Sequence, residues 1–151
     1  DEMSSRGLGD VYKRQPNADL EVVDMVFTSD DIDPDNSVFS GTVTITGIVV
    51  NTGTTDFVSS TNQQRLVIDE LPLGGTPSEK MSLPFTILNA GDTLTISYSR
   101  AWSLTYEFPP SFKASITYDP DIFIDGNPDN DDIDLDNNSI TKTGYDIHDT
   151  F

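Results

Sequence analysis

Two stretches of this chain repeat one pattern of oxygen-bearing residues: Asp-x-Asp-x-Asp-Asn occupies residues 31–36 and again 132–137. Alternate carboxylates at that spacing aim their oxygens at one hard cation, and the sixth residue turns the chain, as in EF-hand-like calcium loops. The second copy lies in a longer run, DPDIFIDGNPDNDDIDLDNN, in which Asp119, Asp121, Asp125, Asp129, Asp131, Asp132, Asp134 and Asp136 fall within 18 residues. Calcium is therefore the candidate cofactor. Asp125, Asp129, Asp132, Asp134, Asp136 and Asn137 form one ligand set, and Asp31, Asp33 and Asp35 form a second. Neither loop completes the motif, because the twelfth position, where a bidentate Glu belongs, is Thr42 in one and Thr143 in the other. A solvated acidic loop is the competing reading: two charges about 6 Å apart in water repel by only about 0.7 kcal/mol, so exposed Asp residues stand without a metal.

Other chemistry is sparse. Trp102, Tyr106 and Phe108 lie close together and form a candidate carbohydrate platform if their rings are exposed, or a plug over the open end of a core if they are not. Trp102 reads more simply as a plug. The single histidine, His148, stands next to Asp149 near the C-terminal end and reads as a surface residue rather than a base. There is no cysteine, no Gly-x-Ser-x-Gly elbow and no phosphate-cradling glycine loop, so nucleophilic and nucleotide chemistry lack their parts. A pair of carboxylates could serve a glycosidase, but such enzymes need a larger scaffold to form a cleft. The expectation is a protein that is not an enzyme.

The charge balance narrows the partners. The chain has 151 residues and a net charge of -18, with eight basic residues. So acidic a surface repels phosphate backbones and anionic headgroups, which argues against nucleic acid and membrane binding. No apolar run approaches the roughly 18 residues of a membrane span, and no signal-peptide h-region is visible. Residues 1–15 carry three acids and three bases, so the whole net charge belongs to the remainder. Their SSRGLGDVYKRQ string has neither strand alternation nor helical periodicity, and it resembles translated sequencing adapter of the kind found at the ends of environmental-metagenome reading frames. Residues 1–15 are read as non-native or disordered, and residues 16–151 as a single domain cut from something longer.

Positioning any of these groups falls to short strands. DLEVVDMVF (19–27) begins the series, and GTVTITGIVVNTG (41–53) sets Thr42, Thr44 and Thr46 against Val43, Ile45 and Val49, the period-2 pattern of a half-buried strand. QRLVID (64–69) follows. MSLPFTIL (81–88) is expected at an edge, because Pro84 cannot donate to a ladder. NAGDTLTISYS (89–99) and FKASITY (112–118) alternate again, with Leu94, Ile96 and Tyr98 on one face of the first and Phe112, Ala114, Ile116 and Tyr118 inward in the second. A last strand is expected over SITKTGYDI (139–147), and no segment carries a helical period. About seven such strands predict an all-β fold, an immunoglobulin-like antiparallel β-sandwich.

The order of these features resembles a known family. A DL-x-V opening strand, GTVTITGIVVNTGTTD, LNAGDTLTISYS, and a strand ending in Asp119-Pro120 before an acidic loop and the pair Asn137-Asn138 are together similar to the CARDB-type module, the cell adhesion related domain found in bacteria. The likeness covers roughly residues 17–148. It departs from the family in the length and Asp-richness of the loop and in the bulky SLTYEFPPS (103–111). The resemblance implies an extracellular or bacterial cell-surface setting and a role as spacer or adhesion module. It also implies neighbouring domains of the same polypeptide as partners, with a cell-surface protein or polysaccharide as ligand.

Overall fold

Alternation between buried and exposed side chains decides most of the secondary structure. The computed structural model describes residues 18–30, 40–118 and 136–150. Its strands are β1 (Leu20–Asp30), β2 (Ser40–Asn51), β3 (Phe57–Val58), β4 (Gln64–Leu71), β5 (Ser78–Phe85), β6 (Ile87–Leu88), β7 (Thr93–Ser103), β8 (Ser111–Tyr118) and β9 (Ser139–Lys142). A five-residue helix, α1 (Gly144–His148), follows. Every pairing is antiparallel: β1-β2-β7 form one sheet, β5-β4-β8-β9 the other, and β3 pairs with β6 as a two-residue ribbon. The fold is the expected all-β, immunoglobulin-like sandwich, with seven strands of four residues or more among the described residues.

The two inner faces meet in one core. Val43, Ile45 and Val49 of β2 and Ile96 of β7 pack with Leu66 and Ile68 of β4 and with Phe112, Ala114 and Ile116 of β8. Each fully buried side chain of this size contributes about 1.5–3 kcal/mol. The sheets approach closely at Gly47, where a Cβ would lie 3.1 Å from the Ala114 Cβ of the facing sheet and 3.3 Å from Cγ2 of Ile96 on the neighbouring strand. A glycine here lets the layers touch without shifting. On β1, Val22 and Met25 are both buried although they are three residues apart. A register shift between Val22 and Asp24 absorbs the extra residue and keeps both side chains on the core side.

Three sequence expectations change in detail. The strand expected over 81–88 divides at Thr86: β5 pairs with β4, and β6 joins β3. Pro84 does lie on the outermost strand of its sheet. The strand expected over 139–147 stops at Lys142, and the next residues turn into α1, the helix that the sequence did not suggest. The cause is local. Gly144 sits against the Pro109–Pro110 segment so closely that a Cβ would be 2.4 Å from the Pro110 carbonyl oxygen, and Ile147 three residues later is fully buried. Finally, the strand expected over 89–99 begins at Thr93 and runs on to Ser103, taking in Trp102. Residues 1–15 and the side chain of Tyr118 lie outside the described residues.

Candidate functional site

The acidic candidates Asp31, Asp33, Asp35, Asp125, Asp129, Asp132 and Asp134 lie outside the described residues; the fold fixes where their two segments attach. Residues 31–39 join Asp30 at the end of β1 to Ser40 at the start of β2, with Ser40 opposite Ser103. Residues 119–135 leave from Tyr118, opposite Gln64 at the start of β4, and return at Asp136. Inter-sheet contacts set the polarity of the sandwich. Asn137 reaches β1 near its beginning, whereas Trp102 at the end of β7 packs on Phe112 at the start of β8. The two acidic segments therefore attach at opposite poles.

At the first pole, the Asn137-Asn138 pair stitches the sheets together. The Asn137 carbonyl accepts from the Val22 amide of β1 at 2.9 Å, and the Asn138 carbonyl accepts from the Ile116 amide of β8, also at 2.9 Å. Nδ2 of Asn137 donates to Oδ1 of Asp19 at 2.9 Å, and Asp136 is exposed. Among the described residues, no three carboxylate or imidazole groups converge on a common point.

Asn51 organises the same pole. It is fully buried, and its side chain makes four hydrogen bonds. Oδ1 accepts from the amides of Asp19 (3.1 Å) and Gly53 (3.0 Å), while Nδ2 donates to the carbonyls of Thr55 and Leu88, each at 2.9 Å. One amide thus ties the start of β1, the turn after β2 and the end of β6. In the sequence Asn51 stands out only as part of the NTG that closes the GTVTITGIVVNTG run. The available signal was an asparagine that continues the buried register of β2 directly into Thr-Gly.

The opposite pole is aromatic. Trp102 is 1% exposed, and its ring lies edge-on to Tyr106 at 5.2 Å and to His148 at 5.8 Å. Nε1 of Trp102 donates to Nδ1 of His148 at 3.0 Å. His148 is half-buried, contrary to its reading as a surface residue, because α1 turns it back under the indole. The Arg100 guanidinium lies over the Trp102 and Tyr106 rings and pairs with Glu70. Burial opposes the charge on Arg100, but the Glu70 carboxylate more than offsets it and holds the guanidinium pKa above its ordinary value. The three-ring platform considered for sugar binding is not assembled as such: Trp102 is a core plug, while Tyr106 and Phe108 are 36% and 63% exposed.

Two further carboxylates are tuned. Asp24 accepts from Nζ of Lys142 at 3.1 Å and from the Met25 amide, which together hold its pKa below the ordinary value. Asp69 is raised, first by burial and then by Glu79, its cross-strand neighbour on β5. Among the described residues, no helix is long and apolar enough to cross a membrane. No protein-family model matches the chain, and no curated protein matches it at a significant level.

Proposed function

We propose that this chain is a non-catalytic spacer or adhesion module of a larger bacterial secreted or surface protein, a CARDB-type domain stabilised by calcium in its acidic segments. The observation that supports this reading is polarity. The described chain begins at Ala18 beside the Asn51 pole and runs to Thr150 at the Trp102 pole, where the Thr150 carbonyl accepts from the Ser29 hydroxyl. The twelve-residue β2 spans about 36 Å at ~3.3 Å per step. A string of such units joined end to end would bring the 119–135 segment of one unit towards the 31–39 segment of its neighbour. Shared calcium between them would neutralise facing carboxylates and stiffen the junction.

Thermal unfolding of the full chain in millimolar calcium, in chelator and in magnesium tests the calcium component. Extracellular calcium modules bind at about 10⁻⁴–10⁻³ M, and ten-fold excess over such a Kd adds about 1.4 kcal/mol, or about 3–5 °C in Tm. Asp132→Ala and Asp134→Ala should each reduce that gain. Equal melting in all three solutions contradicts the calcium assignment.

A second reading, carbohydrate binding, is favoured by the exposed rings of Tyr106 and Phe108. Retention on a glycan surface that is lost in Phe108→Ala would establish it.

A further inference from the structure

Among the described residues the two large sheets have four outermost strands, and three of them carry features that discourage further pairing. β1 bears Glu21, Asp24 and Asp30, is bulged after Val22, and has its Val22 amide occupied by Asn137. β5 carries Glu79, Lys80 and Pro84. β9 has four residues and ends in Lys142. Charge, proline, bulges and short length are the usual protections of an exposed strand edge.

β7 has no proline and no bulge, is not short, and turns its single charge away. It runs for eleven residues, TLTISYSRAWS, as the outer strand of its sheet, without a carboxylate, a lysine or a proline. Its one charged group, Arg100, is turned onto Trp102 and Tyr106 and paired with Glu70. Thr95, Ser97, Ser99 and Ala101 line the exposed face. Among the described residues, no strand pairs with β7 on its outer side.

We propose that the β7 edge pairs antiparallel with β7 of a second copy of this chain, extending the three-stranded sheet into a six-stranded one. Self-pairing is favoured by the sequence of the edge. About a two-fold axis at Tyr98, Ser97 faces the second copy's Ser99, and Thr95 faces its Ala101. Small hydroxyl pairs of this kind already join β7 to β2, where Thr44 bonds Ser99 at 2.8 Å and Thr46 bonds Ser97 at 3.0 Å. Charge favours it as well. In a chain of net charge -18 this edge holds no acid, and the acidic segments attach at the poles, so strand-to-strand approach at β7 brings the least like charge into contact. The pairing requires neither calcium nor a cell-surface setting, and so stands apart from the spacer reading.

Sedimentation equilibrium of the full chain tests it, from about 10 μM to about 500 μM, the range of weak specific pairs. The mass should rise from monomer towards dimer, and more readily in about 1 M salt, where the screening length falls to about 3 Å and general repulsion is removed. Combining Ser97→Glu with Ser99→Glu sets two pairs of carboxylates face to face and should weaken association at least about ten-fold. Far-UV circular dichroism and Trp102 emission would report the retained fold, and Thr141→Glu on β9 should leave association unchanged. Hydrogen exchange of the unsubstituted chain provides a readout independent of that variant, with β7 amides gaining protection as concentration rises and β5 amides not. A monomer at every concentration and salt, as expected if the edge serves a strand from a different protein or none, overturns the proposal. So does association that the double substitution leaves intact, or protection that never rises on β7.

Discussion

The indole Nε1 of Trp102 donates to Nδ1 of His148 across 3.0 Å, and this contact fastens the C-terminal helix to the end of β7. Nε2 of the same imidazole lies 3.2 Å from the Tyr106 carbonyl. An imidazole that accepts at Nδ1 and donates from Nε2 satisfies both contacts, so His148 is set as the neutral Nε2–H tautomer. Nitrogen chemical shifts of His148 at neutral pH should show an unprotonated Nδ1 and a protonated Nε2. His148→Ala strands a buried indole donor, which costs about 1–3 kcal/mol and lowers Tm by about 3–8 °C. Because Trp102 is the only tryptophan, its emission reports the change directly and should shift to the red.

Asn51→Asp is expected to be the most damaging near-isosteric change at the other pole. The carboxylate retains acceptors for Asp19 and Gly53 but offers no donor to the carbonyls of Thr55 and Leu88, and it places a charge at a fully buried position. Two lost bonds and a desolvated charge together cost about 3–5 kcal/mol. Chemical denaturation should show a lower midpoint with an unchanged slope, and a midpoint equal to that of the parent chain would contradict the assigned role.

Asp69 and Asp24 give opposite pH dependences. The raised pKa of Asp69 means that the folded state binds its proton more tightly than the unfolded state does, relative to an ordinary value of 3.8. Asp69 therefore weakens the fold at neutral pH, and the penalty fades as pH falls through its folded pKa towards 3.8. Asp69→Asn should raise Tm by about 1–3 °C at pH 7, as expected for relief of a like-charge cross-strand pair, and by nothing below about pH 4. Asp24 is lowered by Lys142, so its contribution is full above 3.8 and is lost as pH falls through its folded pKa. Asp24→Asn should lower Tm at neutral pH and make no difference in strong acid. Melting curves across pH 3–8 would separate the two.

Much of the fold was legible because β2, β7 and β8 alternate cleanly, and a period of two has one structural meaning. Val43, Ile45, Phe112, Ala114 and Ile116 are buried as that pattern requires. The β1 bulge was not legible, because Val22 and Met25 reach the same face through a register shift that composition does not announce. Nor was α1, whose five residues are too few for a helical period and whose cause, the approach of Gly144 to Pro109 and Pro110, is tertiary. Trp102 is the plug that its simpler sequence reading predicts. The partnership of His148 and two of the four bonds of Asn51, those to Asp19 and Leu88, depend on residues more than thirty positions away, beyond the reach of local pattern.

The spacer reading is tested most directly by the stiffness of a junction. Two copies of residues 16–151 joined head to tail, labelled for distance measurement at high dilution, should give a narrow and extended inter-domain distance distribution in millimolar calcium. Chelator should broaden it, and magnesium should not restore it. A distribution that is the same in calcium and in chelator would contradict a calcium-stiffened spacer.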